Sequence, residues 1–276
     1  MTLDWMPAGP PPADARPAGW RGSVGVLGGM GPMAGASFVC RLTELTPAPC
    51  DQAHLPVLLL SDPRIPDRSA ARLAGGPDPF PAMREGLRFL ERQGVDCIAV
   101  PCNTAHLWFD ALQESLAVPI LHIVDAVIAD LGRQGVHEGP VGLMGTAATL
   151  ALGLYQQPLR QAGYLPILPD EHEIQAFSVA AIEAVKGNRL AEARTHAARG
   201  IESLTRRGAR AVVLGCTELP LAVPHGCRGE FGAVLTDSID ALARAVIARM
   251  QVTGRALSVR GPGLIPDGCF EALACD

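Results

Sequence analysis

Lysine is nearly missing from this sequence: of 23 Lys plus Arg residues only Lys186 is a lysine, which leaves 22 arginines. Aromatic residues make up 4% of the chain, too few for the base-stacking platforms of single-strand nucleic-acid binders. Charged residues are 18% and the formal net charge is −5, which argues against broad binding to a phosphate backbone. No apolar run approaches the roughly 18 to 20 residues needed to span a bilayer. The longest candidates, such as Val57 to Leu60, read as buried strands. The eight cysteines form no CxxC pair and no even spacing, so no disulfide framework is indicated. What the chain has in quantity is apolar residues, 48% of 276. That is enough for one large domain or two ordinary ones, and it excludes disorder of the whole chain.

The first 20 residues carry five prolines, with no basic start and no apolar stretch of signal-peptide type. Residues 1–21 are read as a disordered Pro-rich tail, and the chain as cytoplasmic with reduced thiols. After the tail, short apolar runs alternate with amphipathic stretches. Val24 to Leu27, Leu55 to Leu60 and Cys97 to Val100 read as strands, and Pro32 to Leu45 and Phe80 to Gln93 as helices. Strands alternating with helices predict parallel sheets covered on both faces.

The second half repeats the order of the first. Arg92 to Thr104 (RQGVDCIAVPCNT) matches Arg206 to Glu218 (RRGARAVVLGCTE) at an offset of 114. Val24 to Gly28 matches Val141 to Gly145 at 117, Leu55 to Val57 matches Leu165 to Ile167 at 110, and Val124 to Ala126 matches Ile239 to Ala241 at 115. Four pairs in one order at nearly one offset predict two similar Rossmann-like α/β lobes related by a pseudo-twofold. The boundaries read as residues 22–122 for the first lobe, completed by about 232–252, and 123–231 for the second; residues 253–276 form a C-terminal tail. In open parallel sheets ligands bind beyond the carboxyl ends of the strands. The functional site is therefore expected in the cleft between the lobes, with Cys102 and Cys216 approaching it from equivalent strand ends.

Each of these cysteines follows an apolar run and precedes polar residues that can open a helix: Asn103-Thr104 and Thr217-Glu218. A helix N-terminus is expected to lower a thiol's pKa. A thiol poised near neutrality both takes and gives a proton, and two of them on opposite faces of one carbon would invert a stereocentre without a redox cofactor. Adjacent Asn and Thr groups with backbone N–H donors would hold a carboxylate and stabilise a developing enediolate. For Cys40, Cys50, Cys97, Cys227, Cys269 and Cys275, packing is a sufficient account. His106, four residues after Cys102, would be recruited by a metal reading, but no second cluster completes one, and it is read as a packing or hydrogen-bonding residue of the first turn.

Gly28 to Pro32 (GGMGP), Ile65 to Arg68 (IPDR), Pro101 to His106 (PCNTAH), Val185 to Asn188 (VKGN) and Gly215 to Glu218 (GCTE) together resemble the aspartate/glutamate racemase family, and within it the aspartate racemases. The resemblance runs from about Val24 to Met250. It implies a two-lobe α/β fold, a cofactor-independent isomerase with no metal, and commonly a homodimer. By the same resemblance Cys102 and Cys216 are the acid/base pair, Asn103, Thr104 and Thr217 hold the α-carboxylate, and Arg68 and Lys186 recognise a side-chain carboxylate. Met30, Thr146, Thr149 and Glu218 complete the expected substrate contacts. The implied substrate is a small acidic amino acid, aspartate first, with glutamate or a broader range as the alternative. Two positions depart from the pattern: Ser61-Asp62-Pro63, where relatives often have Asn before the Pro, and Ile182, where some aspartate racemases place a tyrosine.

The solitary lysine supports a role for Lys186, since a compact ammonium and a planar guanidinium are not interchangeable. Rival readings rest on single features. Gly29-Met-Gly31-Pro-Met-Ala34 fits a dinucleotide fingerprint with Asp62 ending the next strand, which would make an NAD-dependent oxidoreductase. Lys186 is the one residue that could carry pyridoxal phosphate. A thiol redox sensor or solute-binding module is the non-enzymatic reading.

Overall fold

The periodicity that separates short apolar runs from amphipathic stretches folds as two parallel sheets with helices against them. The computed structural model describes residues 20 and 22–258, so residues 1–19, 21 and 259–276, which hold most of both expected tails, lie outside the described residues. In the first half β1 (Val24–Gly28) is followed by α1 (Pro32–Leu45), β2 (Val57–Ser61), α2 (Arg68–Leu73), α3 (Phe80–Arg92), β3 (Cys97–Ala99), α4 (Phe109–Glu114) and α5 (Ile123–Arg133). The second half runs β4 (Gly139–Gly145), α6 (Ala147–Ala151), α7 (Gln156–Gln161), β5 (Tyr164–Ile167), α8 (Glu171–Glu173), α9 (Ala180–Lys186), α10 (Leu190–Arg206), β6 (Ala211–Gly215), α11 (Leu219–Ala222), β7 (Val234–Asp237) and α12 (Ser238–Ser258).

The strand orders are β2-β1-β3 and β5-β4-β6-β7, all parallel. An isolated parallel bridge between Ile98 and Ile120 stands on the far side of β3, where β7 stands beside β6. The registers correspond as well as the orders. Val24 pairs with Cys97, and Val141, its partner in the repeat, pairs with Ala211, the partner of Cys97. Every position of β1 and of β6 is buried, as expected for central parallel strands covered on both faces.

Three apolar clusters hold the sheets. One is common to both halves and includes Val26, Phe38, Val127, Leu143, Val213 and Val246. Here α12 packs on α1 and β3 of the first half, while α5 packs on β7 and α7 of the second, so each half closes over the other. The outer cluster of the first half joins Leu27, Met83, Leu87, Leu90 and Ile98 with Cys102. That of the second joins Met144, Ile182, Ala197, Val212 and Leu214 with Cys216. Each fully buried large side chain contributes about 1.5–3 kcal/mol. Two expectations shift at the ends. Trp20, placed in the tail by sequence, is partly buried against the common cluster and donates its Nε1–H to the Ala53 carbonyl at 2.8 Å. α12 continues to Ser258, past the boundary expected near 252. Among the described residues no helix is long and apolar enough to cross a membrane.

The turn from β1 into α1 depends on glycine. Gly29 has a φ of +93°, and an added Cβ would lie 2.3 Å from the Asp62 carbonyl carbon and oxygen. Gly29→Ala should therefore cost about 2 kcal/mol or more, a thermal midpoint lower by roughly 4–8 °C. Gly75→Ala, at φ +66° with nothing within 4 Å, meets only the backbone penalty of about 1 kcal/mol. Differential scanning calorimetry of both variants checks this, and equal shifts would contradict the close approach of Gly29 to Asp62.

Candidate active site

Cys97 and Ala211 hold equivalent places in their sheets, and Cys102 and Cys216 each stand five residues further along, although pairing ends at Ala99 in the first sheet and continues to Gly215 in the second. The segments after β1, β3, β4 and β6, the start of α2 and the end of α9 surround one small cavity. Its lining includes both thiols together with Met30, Asp67, Arg68, Ser69, Asn103, Thr104, Thr146, Lys186, Thr217 and Glu218. Both cysteines are buried, at 5% and 4% exposure, so little water surrounds either.

The local structure after each cysteine is shorter than the sequence suggests. A 3₁₀ segment, Thr104–Trp108, follows Cys102, and the four-residue α11 follows Cys216. Cys216 does not have the lowered pKa expected of a helix start. Burial pushes its thiol well above the ordinary cysteine value, and the carboxylate of Glu218 and the neighbouring Cys102 push it the same way. The Cys216 thiol donates to Glu218 Oε2 at 3.0 Å, and the Thr217 hydroxyl reaches the same oxygen at 3.3 Å. So short a helix has little dipole to set against a buried carboxylate. On the other side His106 is wholly enclosed. Burial and the nearby His122 hold its pKa down at about 4, so the ring is neutral. Its Nδ1–H donates to the Cys102 carbonyl at 2.9 Å, which ties the peptide of Cys102 to the following turn, the hydrogen-bonding role expected from sequence.

Three hydroxyls join the two halves. Thr104 Oγ1 lies 2.9 Å from Thr146 Oγ1 and 3.2 Å from Thr149 Oγ1, and Thr146 caps α6 by accepting the Thr149 N–H at 3.1 Å. Thr149 is 0% exposed and does not line the cavity; it stands behind Thr104 and Thr146. The Arg68 guanidinium shapes the loop beneath Met30: Nη1 donates to the carbonyls of Ile65 (3.3 Å) and Pro66 (3.0 Å), and Nη2 to that of Met30 (2.9 Å). Its Nε is buried without a partner. That leaves the Nε–H and one N–H of Nη2 as donors of the kind a carboxylate accepts. Lys186, the last residue of α9, is exposed at the cavity and makes no ion pair among the described residues.

Sequence reasoning missed Asp67 and Ser69, which line the cavity on either side of Arg68. Asp67 stands inside the IPDR segment, and its carboxylate caps α2 by accepting the Ala70 N–H at 2.7 Å. Tyr155 and Ser238, which hold Asn103, were also missed. The dinucleotide fingerprint does not lead to a phosphate cradle. Glu218 Oε1 lies 3.2 Å from where a Gly31 Cβ would stand, so a carboxylate is already at the turn into α1, and Asp62 is bound by Arg64 at 2.8 and 2.9 Å. Among the described residues one His/Asp group, His225, Asp237 and Asp240, brings ligand atoms within 4.8 Å of one another. Its two carboxylates are held by guanidinium groups, Asp237 by Arg228 at 2.6 Å and Asp240 by Arg41 at 2.7 and 2.8 Å.

Comparison with known proteins converges on one family. A sequence model described as Asp/Glu/hydantoin racemase matches residues 27–246. The solved structure of Picrophilus torridus aspartate racemase is 32% identical, covers 83% of this chain and 95% of its own, and superposes with a TM-score of 0.73. The broad-specificity amino-acid racemase RacX of Bacillus subtilis is 26% identical over 231 residues, 82% of this chain and 96% of that protein. Glutamate racemase of Deinococcus radiodurans is 32% identical over 70% of this chain and 62% of its own length.

The raised Cys216 thiol is testable without any assay of turnover. Glu218→Gln removes the adjacent negative charge, which should bring the Cys216 pKa down and speed its alkylation at a given pH. Rates of iodoacetamide labelling at Cys216 as a function of pH, read by mass spectrometry, check this. A profile identical to that of the parent protein would show that Glu218 does not set the proton affinity of Cys216.

Proposed function

The chain belongs to the Asp/Glu/hydantoin racemase family, and from that premise we propose that it interconverts the enantiomers of a small acidic amino acid by passing a proton across the α-carbon between Cys102 and Cys216. The observation that carries this reading is that both thiols, at equivalent positions of the repeat, line one cavity. Aspartate is the first substrate of choice and glutamate the second.

The resting site has a proton donor ready. Cys216 keeps its proton because it is buried beside Glu218, so Cys102 removes the α-hydrogen and Cys216 returns one to the opposite face. After one turnover the two have exchanged roles. A Cys216 thiolate beside the Glu218 carboxylate is then a strong base, which suits it to the reverse reaction. The planar intermediate carries its charge on the α-carboxylate oxygens. Asn103, Thr104 and Thr217 hold that carboxylate, and their donors strengthen as the charge grows. The side-chain carboxylate meets Lys186 and the free edge of Arg68, while the carboxylates of Asp67 and Glu218 are the cavity's anionic partners for the ammonium group. The chain works as a cytoplasmic homodimer with no resident cofactor.

Chiral chromatography over a panel of L-amino acids with no cofactor added tests the whole reading. Aspartate should be racemised fastest, and Cys102→Ala and Cys216→Ala should each abolish racemisation. Lys186→Ala should lower kcat/KM for aspartate about tenfold to a hundredfold, the value of a charge-assisted hydrogen bond. Full racemisation by Cys216→Ala would overturn the two-thiol scheme. Faster turnover of a neutral amino acid than of aspartate would overturn the substrate class.

A further inference from the structure

Asn103, beside Cys102, is held by two side chains from the far half of the chain. The Tyr155 hydroxyl donates to Asn103 Oδ1, and Asn103 Nδ2 donates to Ser238 Oγ at 2.8 Å. All three are buried, at 2% exposure for Asn103, 1% for Tyr155 and 0% for Ser238. Ser238 in turn donates to the Leu214 carbonyl at 3.4 Å. The Tyr155 ring also lies against Gly215, where an added Cβ would be 3.1 Å from Cε2. One side chain thus touches the residue before Cys216 and the residue after Cys102.

The order of these bonds fixes which way the amide points. A primary amide fills nearly the same space in two orientations, and only its hydrogen-bond partners distinguish them. The Leu214 carbonyl can only accept, so Ser238 gives its proton there and must accept from Asn103. Nδ2 therefore faces Ser238, and Oδ1 faces Tyr155. Burial, with the nearby Asp237 carboxylate, pushes the phenol pKa upward, so Tyr155 remains a donor. Asn103 lines the cavity, and Nδ2 has one N–H beyond the one given to Ser238.

We propose that Tyr155 and Ser238 are positioning residues that lock the Asn103 amide so that it presents an N–H, and not its carbonyl oxygen, to the carboxylate of the substrate. This rests on the assignment of Asn103 to the α-carboxylate above. In the flipped orientation Oδ1 would face that carboxylate, acceptor against acceptor. Tyr155→Phe keeps the ring against Gly215 and removes only the hydroxyl, one of the two groups that hold the amide against the flip.

Racemisation kinetics with aspartate and the calorimetric Kd of succinate, an unreactive dicarboxylate, should be measured for the parent, Tyr155→Phe, Asn103→Ala and the double variant. Tyr155→Phe should raise KM and Kd about tenfold, with a smaller change in kcat, and should add less than about twofold in the Asn103→Ala background. Ser238→Ala should move KM and Kd in the same direction. An unchanged KM and Kd in Tyr155→Phe, or the same fold-change with and without Asn103, would overturn the positioning role while leaving the racemase reading intact. If the parent protein neither racemises aspartate nor binds succinate, the assignment of Asn103 falls and the positioning role with it, and that result is distinct because it appears before any substitution.

Discussion

Parallel pairing carries this structure's chemistry. A parallel strand leaves the sheet at one end only, and strands in matching register leave it at matching depth. β3 beside β1 and β6 beside β4 start in corresponding registers, so Cys102 and Cys216, each five residues on from the first pair, are carried past the same end of their sheets. Each sheet then delivers one sulphur to the same cavity. No loop has to fold back to place either thiol. The exchange of α5 and α12 between the halves binds the sheets through a common apolar cluster, which keeps the distance between the thiols a property of the core and not of the surface.

Equivalent position does not mean equivalent surroundings. Glu218 turns a buried carboxylate onto Cys216, while His106 holds the backbone of Cys102 and stays uncharged. Donors are distributed with the same asymmetry. Arg68 is largely committed to carbonyl oxygens of its own loop and of Met30, and its buried Nε is left without a partner. Lys186 is the freer cation, on an exposed helix end. In a chain with 22 arginines, the one lysine lines the cavity that holds both thiols.

Much of this was legible in the sequence because it is written in local pattern. Pro32 at a first turn and apolar spacing set α1 at Pro32–Leu45, as expected, and the repeat at an offset of 114 located the paired thiols. β2 starts at Val57 and not at Leu55, and α3 ends at Arg92, one residue early; such ends depend on neighbours that periodicity does not see. The direction of the Cys216 shift was misread because a helix dipole was expected, whereas α11 is four residues long and Glu218 faces the thiol. Tyr155 and Ser238 left no local trace. Each acts across more than 50 residues of sequence, and only the folded chain brings their hydroxyls to Asn103.

The central claim, that one thiol takes the proton and the other gives a different one, is tested most directly by isotope placement in deuterated water. At early turnover of L-aspartate, the account predicts D-aspartate carrying solvent deuterium at Cα while the remaining L-aspartate keeps its original hydrogen. D-aspartate that retains the substrate's own hydrogen, or L-aspartate labelled as fast as D-aspartate forms, would contradict it.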